Sequence, residues 1–331
     1  MVTKKKDSLT VDTDLSDLFS VESLTHSRNA SSTEKVGITI LRALEIVTKQ
    51  METSGLRPRT INDYHTYVTH FAETVNIADL SEVNSDKVYE WLASMNVANS
   101  TKLIRLKCLK AFFERCHTNG WLPDPFWRNI TVKVHTPVKE GTAEKDVIFV
   151  LSMLDLTDFV QLRDATAILT LYQTGIRVET AAKLRESHVD LKSKCLRLGG
   201  DIMKNHKALI LPFDDRLAKL YEVLMKQNAK VRRENRTKND YLFITQRGEG
   251  CLKSPTNNNI AKRINKYRRE FGLKNFSPHA LRRAFAKNLY ERSGRDLALV
   301  SRALGHSDFA VTSRYLNLDA EEVAEGIRKY L

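Results

Sequence analysis

Apolar residues recur at steps of three and four along most of the first 130 residues. Such stripes run through 38–51, 61–71, 88–95 and 103–113. A step of three to four residues places the apolar side chains on one face of an α-helix. The pattern therefore predicts a bundle of four short helices within residues 35–130.

Polar residues that favour helix N-caps stand at the start of three of these stripes. They are Thr60, Ser85 and Ser100, and Thr60 is followed three residues later by Asp63, which resembles a capping box. We expect each to accept a backbone amide of the first helical turn.

Two segments lack this periodicity. Residues 1–34 are rich in Ser, Thr and Asp, and we predict a disordered tail with at most a short helix near 15–19. A second break is rich in Pro and Gly, which interrupt regular elements, and we place an interdomain linker at 131–146.

The remaining residues, 147–331, have a mixed pattern. Two short apolar alternations, 195–198 and 208–211, enclose a polar loop and predict a β-hairpin, and 241–244 predicts a third strand. Helical stripes account for most of the rest. The helices are predicted over 165–172, 216–226, 258–270, 278–292, 297–304 and after Asp319.

Charge narrows the class of partner. The 331 residues contain 53 Lys and Arg against 40 Asp and Glu, a net charge of +13. A balance this basic indicates a polyanionic partner, and favours nucleic acid over an anionic membrane surface. No run of about 18 apolar residues and no signal-peptide pattern is present, so we predict a cytoplasmic protein that does not span a membrane.

The predicted helix over 103–113 concentrates part of this charge. Lys102, Arg105, Lys107 and Lys110 lie on it or beside it. A surface that faces DNA and an ordinary solvated basic face explain this pattern equally well.

The four cysteines do not indicate a metal site. Cys108, Cys116, Cys195 and Cys251 have no CxxC spacing and no close Cys/His cluster. We therefore predict reduced, mostly buried thiols and no structural zinc.

Three short motifs combine Gly, His and Arg in the second half of the chain. Thr-Gly-Ile-Arg ends at Arg177, and Leu-Gly-His ends at His306, nine residues before Tyr315. In Ser-Pro-His-Ala-Leu-Arg, Ser277 can cap a helix on which His279 and Arg282 share one face.

In this order and spacing the motifs resemble those of the tyrosine recombinases, the phage-integrase superfamily. The resemblance implies a mainly α fold with a small β-sheet. It consists of an N-terminal helical core-binding domain, a SAM-like bundle, at 35–130, and an α+β catalytic domain at 147–331.

The resemblance also assigns roles to single residues. Arg177 and Arg282 match the two catalytic arginines, whose planar, permanently charged guanidinium groups suit a phosphate. His279 matches the histidine that assists proton transfer, and His306 matches the position that donates a hydrogen bond to the phosphate. Tyr315 matches the nucleophile.

The family also has a lysine in the hairpin loop that protonates the leaving 5′ oxygen. Counting back from Leu211-Pro212, Lys204 falls at that position, and Lys207 remains an alternative. One departure concerns an acid that the family often has three residues after the first arginine. Here Thr180 stands there and Glu179 comes one residue early.

The resemblance implies a site-specific DNA recombinase of the integrase, transposon or resolution type. It would act through a 3′-phosphotyrosyl intermediate at Tyr315, without metal, ATP or another cofactor. The implied partners are double-stranded DNA and further copies of the chain. The free protein would be a monomer, and a tetramer on DNA would exchange a C-terminal helix at about 319–331.

A bacterial host would place the protein in the cytoplasm at the nucleoid. A DNA-binding regulator that keeps this fold but has lost strand exchange is the main alternative. A type IB topoisomerase is a third.

Overall fold

The computed structural model describes residues 37–134, 139–202, 208–254, 257–306, 309–316 and 328. The predicted tail at 1–34 and nearly all of the predicted C-terminal helix lie outside these ranges. The chain divides into two compact units, one up to Thr136 and one from Pro137. Each unit is described by itself.

The first unit contains the four predicted helices. They are α1 (Ile40–Thr53), α2 (Pro58–Thr74), α3 (Ser85–Ser94) and α4 (Asn99–Thr118), with 3₁₀ turns at Leu80–Glu82 and Phe126–Asn129.

Aromatic side chains fill the space between these helices. Phe71 contacts Trp91 and Phe113 edge-on, with ring centroids 5.6 and 5.8 Å apart, and Phe113 lies 5.6 Å from Trp127. All four side chains are buried. The indole N–H of Trp91 donates to Nδ1 of His70 at 2.8 Å, which satisfies the polar atom of this buried ring.

The three predicted N-caps, Thr60, Ser85 and Ser100, are wrong, because each lies inside its helix. Pro58 starts α2, since a proline at the first helical position needs no hydrogen-bond partner for its nitrogen. Asn84 caps α3 one residue earlier than predicted, with its side chain accepting an amide of the first turn. Helix α4 begins without a side-chain cap.

The second unit is mainly helical with two small sheets, as the resemblance implied. None of the helices in the described ranges has the length and apolarity to cross a lipid bilayer. Its helices are α5 (Glu144–Ser152), α6 (Phe159–Thr174), α7 (Val178–Ala182), α8 (Asp215–Asn235), α9 (Asn259–Glu270), α10 (Pro278–Arg292), α11 (Leu297–Leu304) and α12 (Phe309–Leu316). Its strands are β1 (Val189–Asp190), β2 (Cys195–Leu198), β3 (Leu209–Pro212), β4 (Leu252–Ser254) and β5 (Asn257–Asn258).

The predicted hairpin is confirmed. Strand β2 pairs with β3 in antiparallel register, Leu196 opposite Leu211 and Leu198 opposite Leu209. Strand β1 pairs with the other edge of β2, so the three-stranded sheet has the order β1-β2-β3.

The predicted strand at 241–244 is wrong. Only isolated bridges form there, Tyr241 with Arg185 and Ile244 with Gly250. The carbonyl of Leu242 accepts from the side chain of Asn228 at 2.8 Å instead of from a neighbouring strand. The apolar residues of 241–244 are therefore buried by packing in the core and do not form a further strand of the sheet.

Helix α6 forms the centre of the second unit. Every residue from 162 to 171 is buried, which marks a helix surrounded by protein on all sides. Its two buried charges are paired, since Asp164 accepts from Nη2 of Arg163 at 2.7 Å. The other carboxylate oxygen of Asp164 accepts from Nε of Arg263 at 2.5 Å and from the hydroxyl of Tyr267 at 2.7 Å.

Gly175 ends helix α6 in the left-handed conformation, with φ 61°. A Cβ at this position would lie 2.2 Å from Cδ1 of Phe285 on α10. Glycine is therefore required both by the backbone angle and by the close approach of α10. The turn carries the chain directly into Arg177.

Replacement of this glycine tests the close approach. Gly272 also has a positive φ, 64°, but nothing lies within 4 Å of its would-be Cβ. Gly272→Ala should lower the free energy of unfolding by about 1 kcal/mol, the cost of the left-handed backbone alone. Gly175→Ala should cost about 1–3 kcal/mol more, because the methyl group overlaps the Phe285 ring. Urea unfolding of both variants measures the difference, and equal losses would contradict the packing argument.

Candidate active site

Arg282 lies at the centre of the candidate site, on the first part of α10. Ser277 caps this helix as predicted, with its hydroxyl accepting the amide of Ala280 at 3.2 Å. The Arg282 side chain is 4% exposed. A guanidinium buried to this degree needs hydrogen-bond acceptors to offset its desolvation.

The ends of two helices supply these acceptors. Nη1 of Arg282 donates to the carbonyl oxygen of Gly175, and Nη2 donates to that of Leu304 at 2.8 Å. Both carbonyls stand at helix C-termini, where the last turn leaves acceptors unused and the helix dipole is negative. The contacts orient the guanidinium through neutral groups, which do not cancel its formal charge.

The Leu-Gly-His motif forms a Schellman turn at the end of α11. The amide of His306 donates to the carbonyl of Ser301 and that of Gly305 donates to Arg302, both at 2.9 Å, with Gly305 at φ 62°. This local geometry explains the spacing of the motif, because it fixes where His306 leaves the helix.

The imidazole of His306 connects Arg282 to helix α12. Nη2 of Arg282 lies 3.1 Å from Nε2, and Oγ1 of Thr312 lies 2.9 Å from Nδ1. A guanidinium only donates, so Nε2 accepts. The neutral ring therefore carries its proton on Nδ1 and donates it to Thr312.

Burial, together with the positive charges of Arg282 and Arg177, lowers the pKa of His306 to about 4. The ring is thus neutral at physiological pH. In this arrangement its Nε2 accepts a hydrogen bond, whereas the resemblance assigned it a donor role.

His279 lies in the same positive field. Partial burial lowers its pKa, and the charges of Arg283, Arg282, Arg177 and Lys139 act in the same direction. A neutral imidazole is the form that can accept a proton.

Arg177 precedes helix α7 and is partly exposed. Burial lowers the pKa of both His279 and His306, and the positive charge of Arg177 acts on both rings in the same direction. The structure therefore brings four of the predicted residues together: Arg177, His279, Arg282 and His306.

Thr180 and Glu179, where the sequence departs from the family pattern, have different surroundings. Thr180 is buried in α7, and Glu179 is exposed and accepts from Nζ of Lys183 at 2.7 Å.

Of the other predicted catalytic residues, only Tyr315 lies within the described ranges. Lys204 and Lys207 belong to 203–207, outside the described residues, between strands β2 and β3. Tyr315 lies in α12, next to its last residue. This helix is tied to the site through Thr312 and His306.

Two of the lysines predicted to face DNA are engaged inside the first unit. Nζ of Lys102 donates to the carbonyl of Leu92 at 2.7 Å, near the end of α3. Nζ of Lys110 donates to the carbonyls of Arg128 and Ile130 at 3.0 and 3.1 Å. Both ammonium groups thereby satisfy backbone acceptors of the helical bundle.

The other two basic residues of this set differ from them. The guanidinium of Arg105 lies 5.6 Å from the ring centroid of Tyr67, within cation–π range. Lys107 is exposed.

Buried thiols fit the sequence prediction. Cys116, Cys195 and Cys251 are buried, and Cys108 is partly buried. Burial raises the pKa of Cys116 to about 12 and that of Cys251 to about 11, so both stay protonated. Among the described residues no group of three His, Cys, Asp or Glu side chains could hold a metal ion.

Protonation of His306 should destabilise the second unit. Unfolded, the ring titrates near 6.5; folded, it titrates near 4. Between these values the unfolded chain binds the extra proton, so stability falls as the pH falls. His306→Gln should make this fall shallower by at most about 1.4 kcal/mol per pH unit, the contribution of one proton. Urea unfolding at several pH values between 7 and 4 measures both slopes, and parallel curves would contradict the burial of a neutral ring.

The chain is similar in sequence to proteins of a known family. The model of the phage integrase family matches residues 146–322, more than half of the chain. Tyrosine recombinase XerD of Chlamydia pneumoniae is 28% identical over 283 residues, which cover 82% of this chain and 89% of that protein.

Solved structures show the same fold at low identity. The Tn1549 transposon integrase in complex with a circular intermediate DNA superposes with a TM-score of 0.70 at 16% identity, over 87% of this chain and 99% of that one. A lambda integrase tetramer bound to a Holliday junction gives 0.64 at 15% identity, over 88% and 80%. Sequence and fold agree, and the chain belongs to the phage integrase family, the tyrosine recombinases that its motifs resemble.

Proposed function

We propose that this protein is a site-specific DNA recombinase that cuts and rejoins strands through Tyr315. The observation that carries the proposal is the position of Arg282, whose guanidinium is fixed beside His306, near Arg177 and His279. Family membership supports the reaction type.

The two arginines stabilise the reacting phosphate. Attack on a phosphodiester adds negative charge to its nonbridging oxygens, and a preformed cluster of cations lowers the energy of that state. Arg282 is held rigidly by backbone carbonyls, so little reorganisation is needed when the phosphate arrives. Arg177, less buried, approaches from the turn after α6.

Proton transfer accompanies the attack. The Tyr315 hydroxyl attacks phosphorus and gives its proton to His279, whose lowered pKa keeps the ring neutral. The bond to the 5′ oxygen breaks, and a lysine of the hairpin loop, Lys204 or Lys207, protonates the leaving oxygen. The products are a 3′-phosphotyrosyl link and a free 5′-hydroxyl.

The phosphotyrosyl bond retains the energy of the original phosphodiester. A 5′-hydroxyl of a second strand can therefore attack it, release Tyr315 and rejoin the DNA. In this reverse step the 5′-hydroxyl gives its proton to the hairpin lysine and the Tyr315 oxygen regains its proton from His279, so the two steps consume no nucleotide.

DNA and further copies of the chain are the proposed partners. The net charge of +13 suits a DNA backbone. The lambda integrase tetramer on a Holliday junction supports a tetramer on DNA for this chain too. We place the first helical unit on the duplex as the core-binding domain, the helix at about 319–331 in the exchange between protomers, and the protein in the cytoplasm at the nucleoid.

A regulator without strand exchange is the competing function. It would bind DNA equally well and would gain nothing from a guanidinium held beside two neutral imidazoles. The presence of these groups in one place favours the enzyme.

A covalent adduct with DNA is the direct test. Fragments of the DNA that flanks the gene, nicked so that the cleaved end diffuses away, are incubated with the protein and resolved on a denaturing gel. Wild-type protein should form an adduct, and Tyr315→Phe should bind the same fragment and form none, because only the attacking oxygen is lost.

Arg177→Ala and Arg282→Ala extend this test. Each should slow adduct formation by about a hundredfold or more while weakening binding much less, since the lost contact acts mainly on transition-state charge. Adducts that persist in Tyr315→Phe would exclude this nucleophile, and DNA binding by wild-type protein without any adduct would favour the regulator.

The first unit allows a matched comparison of two lysines. Lys107→Ala should leave the melting temperature unchanged and reduce the salt dependence of DNA binding by about one counterion, as expected for a lost phosphate contact. Lys102→Ala should instead lower the melting temperature, because the Leu92 carbonyl loses its donor. Binding titrations at several salt concentrations and thermal melting measure both effects, and the reverse pattern would contradict the assignment.

A further inference from the structure

Thr312 is a fully buried hydroxyl on the helix that carries Tyr315. Its side chain has no exposed surface, and Oγ1 lies 2.9 Å from Nδ1 of His306. Thr312 precedes Tyr315 by three residues, about 4.5 Å along the axis of α12. A polar contact so close to the proposed nucleophile bears on how α12 is placed.

The contact is one end of a chain of three groups. Thr312 binds the Nδ1 side of the His306 ring, and Arg282 binds the Nε2 side at 3.1 Å. The ring orientation is thus fixed from both sides. Through it, the helix of Tyr315 is connected to the guanidinium proposed to hold the phosphate.

The chemistry of the hydroxyl allows the ring to change its tautomer without turning. In this structure Nε2 accepts from Arg282, so Nδ1 donates to Thr312. A phosphate beside Arg282 requires a donor, and Nε2 can donate only if it carries the proton. The hydroxyl then reverses its role and donates to Nδ1, because a threonine hydroxyl both accepts and donates.

We propose that Thr312 is a positioning residue for strand cleavage, which holds His306 in one orientation through both neutral tautomers. The inference rests on the proposed recombinase function. When the phosphate binds, the ring gives its Nδ1 proton to water and takes one from water at Nε2, so its charge stays zero. The low pKa of His306 is consistent with a change between neutral forms.

Two substitutions separate the hydroxyl from the volume of the side chain. Thr312→Val replaces the hydroxyl by a methyl group of similar size, and Thr312→Ser keeps the hydroxyl. Val311→Thr, the reverse exchange at the exposed neighbouring position of the same helix, is the matched control.

Single-turnover adduct formation at saturating DNA gives the kinetic readout. We expect Thr312→Val to be slower by about tenfold to a hundredfold, as for a misplaced catalytic group, with DNA affinity unchanged. Thr312→Ser should recover most of the rate, and Val311→Thr should match wild type. A Val variant as fast as wild type, or a Ser variant as slow as the Val variant, would overturn the inference.

The tautomer of His306 gives a second readout that does not depend on the Thr312 variants. Nitrogen-15 shifts of the histidine rings distinguish a protonated Nδ1 from a protonated Nε2, and His306→Gln identifies the signal among nine histidines. We expect Nδ1–H in the protein alone and Nε2–H in the Tyr315→Phe complex with cleavable DNA. Nε2–H in the protein alone, or no change on DNA, would contradict the proposal.

The outcome for wild-type protein separates the two proposals. If wild type forms adducts and Thr312→Val forms them equally fast, the positioning role fails and the recombinase function stands. If wild type forms no adduct on flanking DNA, the proposed function fails, and the role of Thr312 fails with it.

Discussion

The guanidinium of Arg282 is held by two backbone carbonyls and one imidazole, and these contacts join segments far apart in the chain. The carbonyls of Gly175 and Leu304, at the C-terminal ends of α6 and α11, both accept hydrogen bonds from the Arg282 side chain. Desolvation of an arginine is costly, and helix C-termini offset it with acceptors that would otherwise need water. The three motifs of the sequence are therefore parts of one buried contact.

This arrangement concentrates positive charge in a small volume. Burial lowers the pKa of both His279 and His306, and the same cations act in the same direction. Two imidazoles are thus held toward the neutral form beside two permanently charged guanidinium groups. In the core of the same unit, Asp164 of α6 is paired with Arg163, Arg263 and Tyr267.

Features set by local chemistry could be predicted from the sequence. Ser277 and Pro278 define the start of α10, and the positions of Gly175 and Gly305 follow from the left-handed ends of two helices. The resemblance to a known family then named Arg177, His279, Arg282 and His306, which the fold places together.

Features set by distant contacts could not be predicted. The hydrogen bonds of Lys102 and Lys110 depend on how the bundle packs, because each reaches a carbonyl contributed by another segment. The run at 241–244 has the apolar pattern of a strand, but the carbonyl of Leu242 accepts a hydrogen bond from the Asn228 side chain and not from a neighbouring strand. The partner of Thr312 is likewise set by how α12 packs, and no local pattern indicates it.

Two acceptors of Arg282 are main-chain oxygens, and this affects how the family can diverge. A substitution at residue 304 changes the side chain but leaves the main-chain carbonyl in place. The Arg282 guanidinium therefore keeps this acceptor while the neighbouring side chains change. The carbonyl oxygen of residue 175 is likewise independent of the side chain. The ring of Phe285 lies so close, however, that this residue must be glycine. A site anchored in this way can keep its geometry in relatives that share little sequence.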